Sequence, residues 1–404
     1  MTKELTFLCI STYFKGNEFL RACKQAGNRV FLLTNKKLEH RPWAREAVDE
    51  FFYVEEKPDG SIDIQEIILG LGYAMRSRKI DRIVALDDFD VEKAAHLREH
   101  FRIPGMGQTT GRLFRDKLAM RMKAEEAGIN VPLFSSLFND NDVFEFTQKV
   151  QFPCVVKPRS EASATGIRKV HNSEQLWEVV HYLGERRPEY LVEQFRPGDV
   201  YHVDSLTVGG QPIFTRCSRY LSTPMEVAHG GGVFRSMTVE VGSEEDLALK
   251  EMNEQVLKAF GMKFSASHTE FIRDHATGKF IFLETASRVG GAHLAEMVEA
   301  ATGINLWREW ANIETAMARN LEYTLPEVQN MYAGILISLT RQRYTDPMIF
   351  DDTEVCWRMD EEFHVGVIVK SESQERVKEL LDKYAQVVFD GYHASAPVPD
   401  KPTN

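Results

Sequence analysis

Residues Ser267–His293 read SHTEFIRDHATGKFIFLETASRVGGAH, and this stretch decides the fold. Two apolar runs, 271–272 and 280–283, flank a polar turn that contains Gly278. Apolar runs separated by a short glycine-containing turn are typical of a β-hairpin. The sequence therefore predicts a hairpin centred on Thr277.

That hairpin places Glu270 directly opposite Glu284 on neighbouring strands. Cross-strand partners stand about 4.5–5.5 Å apart at Cβ, and like charges at that separation repel. The pair is tolerated if one carboxyl keeps its proton or if a cation lies between them. Mg²⁺ suits such oxygen ligands and completes its shell with water and phosphate oxygens. A Mg²⁺–nucleotide site, with Arg288 holding an anionic group, and a surface hairpin with solvated glutamates are equally open at this point.

Length and composition predict a globular protein of two to four domains. The chain has 404 residues, of which 43% are hydrophobic and 27% charged. No apolar run approaches the ~18–20 residues that a membrane span needs. Five scattered cysteines without a C-x-x-C pair favour reduced thiols and a cytoplasmic location. The net charge of −11 disfavours nonspecific binding to nucleic acid.

The first part of the chain alternates short apolar runs with helical segments. This alternation predicts a parallel, doubly wound sheet. Its ligand is expected beyond the carboxyl ends of the strands, near Asp87-Asp88 and the loop 11–16. An N-cap for the helix that begins at Val91 is an equally good interpretation of Asp87-Asp88. Neither G-x-G-x-x-G after the first strand nor G-x-x-x-x-G-K-[ST] occurs.

The rest of the chain predicts α+β units. A basic amphipathic helix is expected at 111–130, and an antiparallel region at 201–325 is interrupted by one helix, 244–260. The fold class is thus α/β and α+β. The expected divisions are an N-terminal domain, a small and a large subdomain, a C-terminal α+β segment and a disordered tail, at 1–115, 116–190, 191–330, 331–393 and 394–404.

Two strand ends carry charged residues in unusual places. Lys157 ends the apolar run 154–157, where an ammonium is partly desolvated unless an anion is near. The small side chains of 159–166 allow backbone amides to approach phosphates, although a plain hairpin loop with a solvated lysine remains open. Glu193 ends the next strand and precedes Phe195, a combination that can hold an adenine or simply form a strand edge.

The order of these motifs resembles the ATP-grasp superfamily, most of all its carboxylate–amine ligases that join amino acids. The resemblance covers about residues 1–325. The motifs that carry it are Lys117 on a helix, Val-Val-Lys157-Pro with its loop, Val-Glu193-Gln-Phe with Pro-Gly, Glu270, and Leu-Glu284-x-x-x-Arg288-x-Gly-Gly291.

The resemblance implies an ATP-grasp fold of two α+β subdomains and a role for each motif. Mg²⁺, or Mn²⁺, as one or two ions, is implied at Glu270 and Glu284. Arg288 and Lys157 are the implied catalytic residues. The implied contacts to ATP are Lys117, Lys157, Ser160, Ser163, Thr165, Gly166, Glu193, Gln194, Phe195 and His202. The implied substrate contacts are Arg288, Gly290, Gly291 and His229.

Two positions depart from the family pattern. Ala286 stands where the family usually has an Asn that completes the metal shell. The alanine removes that ligand, so a second ion is expected to bind with lower affinity. Val200 stands where a ribose-binding Glu is common, so His202 or Asp199 is expected to serve instead.

The predicted function is an ATP-dependent ligase. It activates a carboxylate, of an amino acid or small acid, as an acyl phosphate and joins it to an amine, releasing ADP and phosphate. The alternatives are a bicarbonate-dependent carboxylase of the same superfamily and a nucleotide-binding pseudoenzyme. The expected partners are small carboxylate and amine substrates, with a homodimer possible and neither nucleic acid nor membrane.

Overall fold

The computed structural model describes residues 4–58, 60–161, 166–223, 225, 227 and 231–394. Its first sheet is four-stranded and parallel, in the order β3-β2-β1-β4. The strands are β1 (Thr6–Ser11), β2 (Arg29–Asn35), β3 (Glu50–Val54) and β4 (Arg82–Ala85). The helices of this region are α1 (Asn17–Gln25), α2 (Ile64–Ala74) and α3 (Val91–Phe101).

Both faces of the first sheet are covered. Phe7 and Cys9 of β1 lie in one apolar cluster, whereas Leu8 and Ile10 lie in another. Because successive side chains of a strand point to opposite faces, these two clusters lie on opposite sides of the sheet. The doubly wound N-terminal sheet is confirmed.

A second, small sheet is antiparallel and has the order β5-β8-β6-β7. Its strands are β5 (Phe134–Ser136), β6 (Cys154–Pro158), β7 (Arg168–Val170) and β8 (Tyr190–Gln194). Helices α6 (Asp140–Lys149) and α7 (Ser173–Leu183) pack their apolar side chains on it. Lys157 and Glu193 therefore lie on neighbouring strands.

The third sheet is eight-stranded and antiparallel, in the order β13-β12-β9-β10-β11-β14-β16-β15. Its strands are β9 (Gly198–Val208), β10 (Gln211–Tyr220), β11 (Phe234–Thr238), β12 (Ser265–Asp274), β13 (Phe280–Ala286), β14 (Tyr332–Leu339), β15 (Val355–Arg358) and β16 (His364–Ser371). The remaining long helices are α8 (Glu244–Ala259), α9 (Leu294–Thr302), α10 (Leu306–Ala318) and α11 (Gln374–Gly391).

Strands β12 and β13 form the hairpin that the sequence predicts. Glu270 pairs with Glu284 in the register, as expected. The register then shifts, so that Phe271 pairs with Phe282 and Leu283 forms a bulge. A bulge bends the strand and changes where its side chains point, and this one lies directly beside Glu284.

Two expectations about the elements are corrected. Residues 111–130 are not one helix: α4 (Gln108–Arg112) ends before α5 (Lys117–Glu126) begins. The break occurs because the Asp116 side chain caps α5, accepting hydrogen bonds from the backbone N–H groups of residues 118 and 119. The region 201–325 also ends in helices α9 and α10 rather than in strands.

The C-terminal strands β14 to β16 belong to the same sheet as β9 to β13. The predicted boundary at 330 thus falls inside a hydrogen-bonded sheet, and the domain limits stay predictions. Across the described part of the chain, no helix combines the length and the apolar character that crossing a bilayer requires. Apart from Ala394, the predicted disordered tail lies outside the described residues.

Candidate active site

A cleft of roughly 740 Å³ opens between the small and the large sheet. Residues of β6 and β8 line it together with residues of α5, β12 and β13. Pockets of this size are typical of small-molecule sites. Nine predicted site residues line the cleft: Lys117, Lys157, Glu193, Gln194, Phe195, Glu270, Glu284, Arg288 and Gly291.

Glu270 and Glu284 lie side by side on the hairpin and are partly buried. Glu270 Oε1 accepts a hydrogen bond from the Tyr220 hydroxyl at 2.8 Å. Burial raises the pKa of Glu284, but the cations Lys117, Lys157 and Arg121 outweigh it and hold this pKa at about 2. Glu284 is therefore ionised at neutral pH, and the two carboxylates are a donor set that fits Mg²⁺.

Lys117 is the first residue of α5, which Asp116 caps. Its ammonium lies 2.7 Å from Glu284 Oε2 and donates to the backbone carbonyl of Glu161 at 2.6 Å. Glu161 belongs to the loop that follows β6. Lys117 thus connects that loop to the acidic pair, where a cation can contact phosphate oxygens.

Lys157 and Glu193 form a buried ion pair in the floor of the cleft. Arg121 donates its Nε to Glu193 Oε2 at 2.9 Å and its Nη1 to the Leu283 carbonyl. Burial lowers the pKa of Lys157 to about 8, even though Glu193 opposes this change. The Glu193 carboxylate is therefore paired with two cations, and its predicted contact to ATP stays a prediction.

Gln194 and Phe195 line the same cleft, next to Glu193. Their backbone N–H groups donate to the carbonyls of Leu133 and Pro153, at 2.8 and 3.0 Å. The Lys169 ammonium lies 3.7 Å from the centre of the Phe195 ring. Phe195 thus offers an aromatic surface at the end of β8.

The structure describes the two ends of the loop after β6, up to residue 161 and from residue 166. The backbone carbonyl of Ser160 accepts a hydrogen bond from Arg115. Gly166 has φ +72°, and a Cβ there would lie 2.9 Å from Pro158 Cγ, so the position favours glycine. Ser163 and Thr165, predicted to contact phosphates, lie outside the described residues. So does His229, predicted to contact substrate.

Arg288 extends from the end of the hairpin towards the N-terminal sheet. Its Nη2 pairs with Asp88, and its Nη1 donates to the Val289 carbonyl at 2.8 Å. Gly291 lines the cleft. Gly290 is buried, and a Cβ there would lie only 2.9 Å from His268 Nδ1.

Comparisons with known proteins bear on the fold and the family. The family model "D-ala D-ala ligase C-terminus" matches residues 124–220. The chain is similar to an L-arginine-specific L-amino acid ligase of Bacillus subtilis, with 24% identity over 75% of this chain and 73% of that protein. A crystal structure of an L-amino acid ligase from Bacillus licheniformis superposes with a TM-score of 0.77 at 18% identity, covering 97% of this chain and 99% of the other.

The chain has the ATP-grasp fold. The biotin carboxylase domain of the Hydrogenobacter thermophilus 2-oxoglutarate carboxylase, solved with MgADP, also superposes, with a TM-score of 0.70 at 17% identity over 97% of this chain and 91% of that one. The predicted fold class is confirmed, and the predicted activity class, an ADP-forming C–N ligase, agrees with the names of these relatives.

The structure does not place His202, a predicted ATP contact, in the lining of the cleft. His202 has no exposed surface, and its ring nitrogens lie 2.8 Å from Asp204 Oδ2 and 2.8 Å from Ser236 Oγ. It therefore has no free face for a ribose. The other candidate, Asp199, lies 3.1 Å from the Arg219 guanidinium.

His268 is a site residue that the sequence motifs did not indicate. It lies opposite Ala286 in the hairpin, and its Nε2 is 3.7 Å from Glu270 Oε1. Burial lowers the pKa of His268, but Asp204, 2.8 Å from its Nδ1, and Glu270 raise it overall to about 9. An imidazolium thus stands beside Glu270, across from the alanine that replaces the usual Asn. The H-x-E spacing, which puts both side chains on one face of β12, is the signal that could have revealed it.

Arg121 was also missed, although it lies four residues after Lys117. Residues at that spacing lie on the same helix face, so the helix that presents Lys117 to the cleft also brings Arg121, which is buried, to Glu193.

The N-cap interpretation of Asp87-Asp88 holds for the short turn that precedes α3 and not for α3 itself, whose N-cap is Asp90. Asp87 caps the turn before α3 by accepting a hydrogen bond from the Phe89 N–H at 3.0 Å. Asp88 reaches the cleft at the carboxyl end of β4, which is the crevice that the sequence predicts.

Proposed function

We propose that this protein couples a carboxylate to an amine at the expense of ATP. In the first step a carboxylate oxygen attacks the γ-phosphorus of ATP, giving an acyl phosphate and ADP. In the second step the amine attacks the acyl carbon, phosphate leaves, and the amine loses a proton to form the amide. The observation that supports this most strongly is the meeting of Lys117, Lys157 and the Glu270–Glu284 pair in one cleft.

The cations of the cleft would bind the nucleotide. Lys117 and Lys157 supply ammonium groups for the phosphates, and the end of β8 at Gln194 and Phe195 supplies a polar edge and an aromatic surface for the adenine. Phosphoryl transfer needs mainly positioning and charge neutralisation, and both lysines are held by carboxylates on rigid elements.

Glu270 and Glu284 would hold the metal. A bound Mg²⁺ or Mn²⁺ would neutralise charge on the phosphate oxygens during transfer. Ala286 offers no ligand atom, so we propose one tightly held ion, with a second depending on phosphate oxygens alone.

A homodimer and a cytoplasmic location remain predictions.

Arg288 would bind the acid substrate. It lies at the cleft end nearest the N-terminal sheet, on the strand-end segment that follows Glu284 and beside Gly291. A planar guanidinium matches a carboxylate and an acyl phosphate equally well. The same residue can therefore hold the substrate before and after phosphoryl transfer.

A product screen tests this function. Purified protein is incubated with Mg-ATP and pairs drawn from the L-amino acids and small acids, and ADP, AMP and phosphate are quantified. The expected result is ADP and phosphate in equal amounts, dependent on both an acid and an amine. AMP would overturn the acyl-phosphate mechanism, bicarbonate-dependent ADP release would favour the carboxylase, and nucleotide binding without turnover would favour the pseudoenzyme.

A further inference from the structure

Two residues next to the start of α5 hold the loop that follows β6. Arg115 donates a guanidinium N–H to the backbone carbonyl of Ser160. The backbone N–H of Lys117 donates to the Arg159 carbonyl at 2.8 Å, and its ammonium donates to the Glu161 carbonyl at 2.6 Å. Three consecutive loop residues are thus fixed by their backbone, so the start of this loop follows the chain segment that precedes α5.

Arg115 also contacts the N-terminal region. It is 8% exposed, and its guanidinium lies 4.3 Å from the centre of the Phe89 ring. Phe89 belongs to the turn between β4 and α3, and its ring stacks on that of Tyr13 with 4.7 Å between the ring centres. Tyr13 lies in the loop between β1 and α1. Contacts therefore run from the carboxyl end of the parallel sheet, through Phe89 and Arg115, to the loop after β6.

Tyr13 lies close to both ends of these contacts. Burial and the nearby carboxylates of Asp87 and Glu161 raise the pKa of Tyr13 to about 12. Asp87 follows β4, whereas Glu161 belongs to the loop after β6. The N-terminal crevice and this loop thus meet at one place.

Stability does not explain why an arginine occupies position 115. Among the residues that the structure describes, Arg115 forms no ion pair, whereas Arg159 of the loop pairs with Asp116 at 2.9 Å. A buried cation without a paired acid is unfavourable. Its contacts to an aromatic face and to a carbonyl offset part of this cost. The residue is better explained by the two regions that it connects.

Arg115 also lies near the end of the cleft where Arg288 would bind the acid. Burial raises the pKa of Asp88, but Arg288 and Arg115 hold it below its usual range. Both arginines line the cleft together with Asp88. Arg115 therefore joins the loop after β6 to the acid end of the cleft.

The two reactants of the first step would bind to different parts of the molecule. The phosphates of ATP would lie against the loop after β6, and the acid would lie at Arg288 beside the N-terminal crevice. A misplacement of about 1 Å between reacting groups can cost on the order of 100-fold in rate. A poorly placed γ-phosphate is also open to attack by water, which consumes ATP without product. A contact that spans both parts therefore serves the reaction directly.

We propose that Arg115 is a positioning residue. Through Phe89 it fixes the start of the loop after β6 relative to the N-terminal crevice, so that the γ-phosphate meets the acid rather than water. Without this contact, water attacks the γ-phosphorus and releases ADP and phosphate, and no acyl phosphate forms. The inference rests on the proposed function and adds a residue that couples its two substrates.

Three variants separate this coupling from simple anchoring of the loop. Phe89→Leu removes the ring that Arg115 contacts but leaves the bond to Ser160 and every cation of the cleft in place. Arg115→Met removes both contacts at once. Arg159→Gln, the matched control, weakens the ion pair between the loop and Asp116 and leaves the contact to the N-terminal region intact.

The first measurement is the ratio of ADP to hydroxamate. It uses Mg-ATP, saturating hydroxylamine and the acid that releases most ADP in the product screen. Hydroxylamine attacks the acyl phosphate, so each productive transfer yields a hydroxamate and phosphate, and the wild type is expected to form ADP and hydroxamate in nearly equal amounts.

Phe89→Leu and Arg115→Met should raise this ratio by about threefold or more, because water then competes for the γ-phosphorus. The double variant should match Arg115→Met, since residues joined by contact do not act independently. Arg159→Gln should raise KM for ATP and keep the ratio.

Hydrogen exchange is the second measurement, and it needs no acid. Mg-ADP should slow the exchange of backbone amides in residues 12–16 and 87–90 of the wild type. Phe89→Leu should lose this protection although it still binds ADP, whereas Arg159→Gln should keep it.

Three results would overturn the proposal and leave the ligase function intact. One is a wild type in which Mg-ADP changes exchange in neither range, a result that needs no variant to fold. Another is an unchanged ratio in both Phe89→Leu and Arg115→Met. The third is an equal rise of the ratio in Arg159→Gln, which would assign the effect to loop anchoring alone. No hydroxamate and no acid-dependent ADP from the wild type would instead overturn the proposed function, while the exchange measurement would still decide whether Arg115 joins the two regions.

Discussion

The ammonium of Lys117, the first residue of α5, lies 2.7 Å from Oε2 of Glu284 on β13. A predicted phosphate contact and a predicted metal ligand thus neutralise each other across the cleft. Lys117 also holds the loop after β6 through the Glu161 carbonyl. When the nucleotide and the metal bind, this ion pair would break. Lys117 would then contact phosphate oxygens, and Glu284 would contact the metal.

The first prediction concerns Glu284→Gln. The amide cannot supply the charge that a divalent ion needs, so acid-dependent ADP release should fall by about 100-fold or more, the equivalent of several kcal/mol. ADP release is measured over a Mg²⁺ titration, alongside Glu254→Gln on the exposed face of α8. Full activity in Glu284→Gln would remove this residue from the metal site.

The second prediction is that, in the absence of a divalent metal, the affinity of the protein for ADP depends on the charge of Lys157. With a pKa of about 8, this lysine is charged below pH 8 and increasingly neutral above it. Affinity should therefore fall as pH rises from 7 to 9.5. Calorimetric titration across this range measures the effect.

Lys157→Arg is the informative variant here, because arginine stays charged throughout that window. It should flatten the pH dependence, whereas Lys263→Arg at an exposed position should leave it unchanged. A pH dependence that is the same in all three proteins would assign the titration to another group.

Much of this site was predictable because it is local in sequence. The apolar runs around Gly278 determine the hairpin, and the pairing of Glu270 with Glu284 follows from the position of the turn. The alternation of strands and helices likewise predicts the parallel sheet that brings Asp88 to the cleft.

Contacts between distant segments were not predictable in this way. Glu193 looks like an adenine acceptor in sequence, but it is neutralised by Arg121 and Lys157, which approach from another helix and another strand. His202 looks like a strand-end polar residue, but β9 lies in the middle of the large sheet and buries it. Asp116 reads as part of one long helix until its side chain is seen to cap α5.

The third prediction is a pH-dependent contribution of His268 to stability. Its folded pKa of about 9 lies above the ordinary value of 6.5. The contribution is therefore complete below about pH 6.5 and is lost as pH rises through about 9. One pKa unit corresponds to about 1.4 kcal/mol, so the free energy of unfolding gained from this group is on the order of 3 kcal/mol.

Urea unfolding of the wild type and His268→Gln at pH 6, 8 and 10 measures this effect. The difference between the two proteins should shrink by on the order of 3 kcal/mol between pH 6 and 10. His171→Gln, at an exposed position, should show no such trend. A constant difference for His268→Gln would mean that the imidazole acts by packing alone.

The fourth prediction contrasts a buried with an exposed arginine. Arg121 has no exposed surface, and it connects Glu193 of the small sheet to the Leu283 carbonyl of the large one. Arg121→Met should destabilise the protein by about 3–5 kcal/mol, because Glu193 is left with a single cation in a buried site. Arg186→Met breaks an ion pair with Glu189 in which both side chains are more than half exposed, and it should cost no more than about 1 kcal/mol. Both values come from chemical denaturation at pH 7, and equal effects of the two substitutions would show that the Arg121 ion pair contributes nothing beyond a surface contact.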